Sequence, residues 1–280
     1  MSIQINCNGN GLKTLSESSP EILEALLNPI QIKETVRVQD GQFLFWERHY
    51  FRMMASLRRM RFQIPATYTP EHLLAEAKKL VQQEGTSDKK AFLVHFHFVS
   101  KDSRTTIFLI RFDVVPALEV NRKPSSYEVD IYREAFVTAG LLANQSLVNA
   151  PIRKIASVFA YENDLNDLLL LNEEKHLVET VRGSLFLWQD NKIATPSLET
   201  GVQNLVFRQE FIDFLAQEAA VEITQSKIGP FEIQQAQEAF VLNLETGFSS
   251  ITHYRKTAFA SEQTPSLYQR FLQSERFSSN

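Results

Sequence analysis

A chain of 280 residues, 44% hydrophobic and 22% charged, has the make-up of an ordinary globular protein and can form one large domain or two smaller ones. Its formal charge of -4 gives no global attraction to nucleic acid or to an anionic membrane surface. Cys7 is the single cysteine, which excludes an intrachain disulfide and a cysteine-based metal centre, and no apolar run reaches the roughly 18 residues a membrane span needs.

The N-terminal stretch MSIQINCNGNG has no basic region followed by an apolar run, so a signal peptide is not expected and a cytoplasmic location is. Two short strands, ETVRV and QFLFW, flank Asp40-Gly41, a pair suited to a tight hairpin because glycine accepts positive φ. ERHYFRMMASLRRMRF follows without alternation. Phe51, Met54, Leu57 and Met60 recur at three- and four-residue spacing, which predicts an amphipathic helix ending before Pro65. TPEHLLAEAKKLVQQEG reads as a second helix, with Thr69 as N-cap, Pro70 in the first turn and Gly85 past the end. KKAFLVHFHFV and RTTIFLIRFDVV then form two strands around SKDS.

The polar, proline-containing stretch PALEVNRKPSSYEVD is the expected connection between domains, centred on residues 119–127, which gives domains 1–120 and 128–280. In the second, IASVFAYENDLND predicts a helix, LLLLN a buried strand and LVETVRGSLFLWQDNKIATP a hairpin. VFRQEFIDFLAQEA is a helix, AFVLNLETGFSSITHYRKTAFA a strand pair, and the tail from Thr264 a final helix. The fold class is α/β (α+β).

Taken in order, ETVRV, WERHYFRMMASLRRM, LLLLNEEKHLVET with SLFLW, and ATPSLETG with FRQEF resemble the class IV aminotransferases, from about Lys33 to about Phe259. This pyridoxal-phosphate family includes branched-chain aminotransferases, D-amino-acid aminotransferases and aminodeoxychorismate lyases. The resemblance implies a two-domain fold with a small-molecule cleft between the domains, a pyridoxal phosphate cofactor, transferase or lyase chemistry and a homodimer. It assigns Arg52 to the cofactor phosphate, a role that suits a planar guanidinium. Glu179 matches the carboxylate that keeps the pyridine nitrogen protonated. Val206 and Phe207 stand at the positions of the phosphate-binding turn, and Arg208 matches a supporting arginine.

The same resemblance places the imine-forming lysine about 33 residues before the pyridine-facing glutamate. Ser146 occupies that position, Gln145 and Leu147 beside it carry no amine, and Asn149 agrees with the family's Lys-x-x-Asn spacing. Lys154, eight residues further on, is roughly 12 Å away along a helix or 26 Å along a strand. The family's Gly-Ile-Thr-Arg phosphate turn is here LVFR, with Leu205 for the glycine and Phe207 for the threonine. LLNPIQIK stands where a Gly-Asp turn is usual.

Three functions stay open on these residues. One is an aminotransferase-like protein that has lost lysine-dependent chemistry and binds another small molecule. The second is an active pyridoxal-phosphate enzyme that uses Lys154. The third is an interaction module that uses the first helix, rich in Arg48, Arg52, Arg58, Arg59 and Arg61. The acidic chain has no nucleic-acid motif, so these arginines read as a charged helix face. His49 is expected to support the helix start. His95 and His97 share one strand face, but no third metal ligand accompanies them.

Overall fold

The computed structural model describes residues 4–7, 12–14, 30–83, 91–100, 105–118, 126–274 and 277. Two compact units divide the chain, Met1–Ala117 and Leu118–Ser279. Gly85, residues 101–104 and most of the stretch 119–127 lie outside the described residues, as does the start of LLNPIQIK.

The first unit is a six-stranded antiparallel sheet with two helices. Its strands are β1 (Gln4–Cys7), β2 (Leu12–Thr14), β3 (Gln31–Gln39), β4 (Gln42–Phe43), β5 (Ala91–Ser100) and β6 (Thr106–Val114), in the order β2-β1-β6-β5-β3-β4. The helices are α1 (Trp46–Arg59) and α2 (Pro70–Gln83). Asp40 and Gly41 both have positive φ, 49° and 80°, in the two-residue loop between paired Gln39 and Gln42. That is the hairpin geometry whose twist matches its strands.

QFLFW, expected as a full strand, is extended only at Gln42–Phe43. Phe45 turns into the left-handed region (φ 55°), and Trp46 starts α1, packing against Phe43 and Phe96. Phe51, expected on the buried helix face, is 66% exposed. The core-facing stripe is Trp46, Met53, Met54 and Leu57. Period-two alternation puts Ile32, Val36 and Val38 of β3 and Val94, Phe96 and Phe98 of β5 on the face that the helices cover.

The second unit has two five-stranded sheets. The first contains β7 (Glu128–Ile131), β8 (Asp167–Leu171), β9 (Leu177–Thr180), β15 (His253–Tyr254) and β16 (Thr257–Ala258), in the order β16-β15-β7-β8-β9. The second contains β10 (Ser184–Gln189), β11 (Lys192–Pro196), β12 (Glu222–Ser226), β13 (Glu238–Asn243) and β14 (Gly247–Ile251), in the order β12-β11-β10-β13-β14. Four helices complete the unit: α3 (Ala150–Glu162), α4 (Val206–Leu215), α5 (Pro230–Gln235) and α6 (Gln263–Gln273).

Every leucine of LLLL is buried because β8 is covered on both faces. Leu169 and Leu171 join Leu185, Leu187, Val241 and Ile251 in a core between the sheets. Leu168 and Leu170 point the other way, toward Ala156 and Ala160 of α3. Beyond the second sheet, Phe186 and Phe240 meet Phe211 of α4 and, through it, Phe271 of α6.

The hairpin expected over LVETVRGSLFLWQDNKIATP is divided. β9 pairs with β8 in one sheet, while β10 and β11 form the hairpin in the other. Gly183 sits at the break, where a Cβ would come within 2.3 Å of the Leu242 carbonyl oxygen, closer than any real side chain stands. β7, β12 and α5 are additions to the expected elements; they are short, and β12 is largely exposed.

Candidate functional site

In the first unit the residues with cofactor or support roles converge on a carboxylate that the sequence did not single out. Glu34 lies on the helix-facing side of β3 among Ile32, Val36 and Val38, and is 5% exposed. It accepts from His49 Nδ1 at 2.6 Å and from Arg52 Nη1. A carboxylate can only accept, so His49 Nδ1 carries the hydrogen of that bond. His49 and Arg52 are three residues apart on α1, hence on one face and within reach of the same group. Burial alone would raise the Glu34 carboxyl, but the Arg52 guanidinium and the His49 hydrogen bond outweigh it and hold it below the usual carboxylate value.

That balance has a sign. A carboxyl lowered by folding contributes stability above its ordinary value of 4.5, and the contribution is lost as pH falls through the folded value. Glu34→Gln is therefore expected to flatten the acid limb of the stability profile below about pH 4.5, read from urea midpoints between pH 7 and pH 3. A limb as steep as in the parent would mean that Glu34 is not the group involved.

His95 and His97 lie on the opposite face of the same sheet. His95 Nδ1 is 3.0 Å from Thr35 Oγ1, and its Nε2 is 3.0 Å from Asp113 Oδ2. Burial pushes both imidazoles down to about 4, so they are neutral near pH 7. Among the described residues no group of three His, Cys, Asp or Glu side chains is placed to hold a metal ion.

In the second unit, the turns at residues 141–149 lead into α3. Gln145 is buried and Ser146 half-buried there. Asn149, the residue before the helix, accepts from Thr138 N–H at 3.1 Å and donates to the Thr138 carbonyl at 3.2 Å, which fixes the incoming loop. Lys154 is exposed on α3. Arg153, four residues after Asn149 and so on its face of the helix, turns inward. Its Nε donates to Glu179 Oε1 at 2.7 Å and its Nη2 donates to the same oxygen.

Glu179 lies on β9, 4% exposed, and its Oε2 accepts from the Gln203 backbone N–H at 3.3 Å. The approach to α4 is tied to the turn before α3 by Asn204 N–H donating to Asn144 Oδ1 at 2.7 Å. Leu205 precedes α4 in an extended conformation and supplies no capping side chain. Val206 and Phe207, at the phosphate-turn positions, are both buried. Phe207 packs its ring against Phe271 and Phe277.

Arg208, 1% exposed, donates through Nη2 to the Pro196 carbonyl at 2.7 Å and to Gln225 Oε1 at 3.2 Å, which fits a supporting role. Burial lowers its pKa to about 10, with Glu179 as the opposing attraction, so it stays charged at neutral pH. Arg153, Gln203 and Glu34 were not picked out from sequence. The spacing of Arg153 from Asn149 was the one available signal.

The comparisons with known proteins are now informative. The family model for amino-transferase class IV matches residues 31–254, well over half of the chain. This chain belongs to the class IV aminotransferase family. No curated protein matches it in sequence.

Solved structures agree in fold. The branched-chain aminotransferase of Thermoproteus uzoniensis with norvaline is 15% identical, with a TM-score of 0.80, over 100% of this chain and 97% of its own. The branched-chain aminotransferase of Thermobaculum terrenum in its PLP form is 16% identical (TM-score 0.82; 100% of this chain, 95% of that one). A hypothetical aminotransferase from Mycobacterium tuberculosis, bound to alpha-ketoglutarate and PMP, is 12% identical (TM-score 0.83; 99% and 100%). At these identities the likeness is one of fold. Like its relatives by fold, this class IV chain is a mixed α/β protein, and none of its described helices is long and apolar enough to cross a membrane.

Proposed function

We propose that this chain is a class IV aminotransferase-fold protein that has given up lysine-dependent pyridoxal-phosphate chemistry and binds another small molecule around Glu179. The observation that carries the reading is the Arg153–Glu179 pair. A pyridine nitrogen held by that carboxylate would have to share it with a guanidinium, and a neighbouring cation disfavours the protonated ring that makes pyridoxal phosphate an electron sink.

Three further features support it. Positions 145 and 146 are Gln and Ser, neither able to form an imine. Lys154 is turned to the exposed side of α3, whereas its neighbour Arg153 points in. At the start of α4 the phosphate-turn positions are filled by Val206 and Phe207, whose apolar side chains cannot donate to an anion. These residues do not fit a lysine-held pyridoxal phosphate.

The test is an absorbance spectrum after incubation with pyridoxal phosphate and desalting, followed by borohydride reduction and peptide mapping. The expected result is no retained imine band and no labelled lysine. Label on Lys154 or on another lysine would overturn the proposal and make this a working cofactor enzyme.

We also propose a homodimer. Ile155, Val158 and Tyr161 form an exposed apolar stripe at three-residue spacing along α3, which a second copy would cover. Sedimentation equilibrium should then report two chains per particle. A monomer at tens of micromolar would rule the dimer out.

A further inference from the structure

The group around Glu179 holds more hydrogen-bond donors than its own residues satisfy. Arg153 Nη1, Gln203 Nε2, and Arg208 Nε and Nη1 are buried without a partner. All three side chains belong to one neighbourhood. Arg153 grips Glu179, Gln203 bonds it through the backbone, and Arg208 feels its charge. Gln203 and Arg208 are 8% and 1% exposed.

A buried N–H left unbonded costs about 1–3 kcal/mol, and more when the group is charged, so four such nitrogens in one cluster are unusual for a native protein. The charge balance leans the same way. Two guanidiniums face a single carboxylate, which leaves one positive charge without a counter-ion in a setting of low dielectric. All the unsatisfied atoms are donors, so the missing group is an acceptor. The uncompensated charge is positive, so that acceptor is an anion.

We propose that the cluster of Arg153, Gln203 and Arg208 binds an oxyanion, the carboxylate or phosphate group of a small metabolite, beside Glu179. Planar guanidinium forks match either group. Arg153, whose side chain is 16% exposed, is the member that reaches solvent and so marks the way in. The inference names the ligand class for the site of the proposed function and rests on that reading. It also reverses the electrostatics the family resemblance implies, since a negative group would sit where a protonated ring nitrogen is expected. Glu179 then serves to orient Arg153 and is not itself the ligand contact.

The experiment is calorimetric titration of the full chain with inorganic phosphate in one arm and succinate in the other, backed by the shift in melting temperature that a native-state ligand causes. At least one arm is expected to bind below about 1 mM, and the tighter arm identifies the group recognised. Gln203→Met keeps the backbone bond to Glu179 and removes only the free amide. It is expected to weaken binding about tenfold, as loss of one hydrogen bond to a charged group does. Arg153→Met combined with Glu179→Met removes the pair together, which protects folding, and should abolish binding.

Failure of both anions to bind at 10-fold excess over about 1 mM overturns the inference, as does binding that neither variant changes. The two proposals fail separately. A borohydride-fixed lysine label would overturn the proposed function, whereas silence in both anion arms would overturn only the oxyanion site.

Discussion

Arg153→Met is expected to lower stability by about 3–5 kcal/mol, because it strands Glu179 in the interior without its cation. The partner cannot relax into water, since Glu179 is 4% exposed on a strand whose neighbours are all buried. The Gln203 backbone N–H stays on Oε2, so one bond survives, but a single amide does not neutralise a carboxylate. The double variant Arg153→Met, Glu179→Met replaces the pair with apolar side chains of similar length and is expected to recover most of the loss, because buried pairs contribute little net stability over packed apolar groups. Urea unfolding of parent, both single variants and the double variant gives the coupling directly. A single-variant cost below about 1 kcal/mol would mark the pair as solvated, like a surface ion pair. Glu179 would then be free for a ring nitrogen, and the proposed function would lose its main support.

The second large effect lies in the aromatic layer beneath α4. Phe211→Ala is expected to cost about 3–5 kcal/mol. Phe211 is fully buried and meets four rings, with centroid separations of 5.4 Å to Phe186, 5.9 Å to Phe240, 5.2 Å to Phe271 and 6.1 Å to Phe214. Three of these contacts are edge-on, with interplanar angles of 76–89°, the arrangement that ring quadrupoles favour. Removing the ring leaves a cavity that β-sheet on one side and α6 on the other cannot both close. Phe51→Ala is the control. Its ring is 66% exposed, and the change is expected to stay within about 0.5 kcal/mol. Equal shifts in the denaturant midpoints of the two variants would mean that Phe211 is not the keystone of this layer.

The aromatic layer bears on the site as well. Phe207, at a position where the family resemblance implies a phosphate-binding hydroxyl, packs on Phe271, which itself meets Phe211. The first turn of α4 is thus anchored by packing, while the buried donors nearby belong to Gln203, Arg208 and Arg153.

The sequence by itself determined the elements whose periodicity is strong. The four leucines of β8, the alternating phenylalanines of β5, the helices α1, α3 and α4, and the Asp40-Gly41 hairpin follow from local patterns, because side-chain period and φ preference act over a few residues. The order of those elements carried the family, and the residues at 145, 146, 205 and 207 were plain to read. Tertiary structure alone decided which charges meet. Arg153 and Glu179 are 26 residues apart, Glu34 and Arg52 are 18 apart, and both pairs exist because a helix packs its inward face against a strand. It also decided that LVET and SLFLW lie in different sheets, since the close approach of Gly183 to Leu242 belongs to the packed sheets and leaves no mark in the local pattern. Periodicity says which face of an element is buried, but what stands opposite that face depends on how whole elements dock.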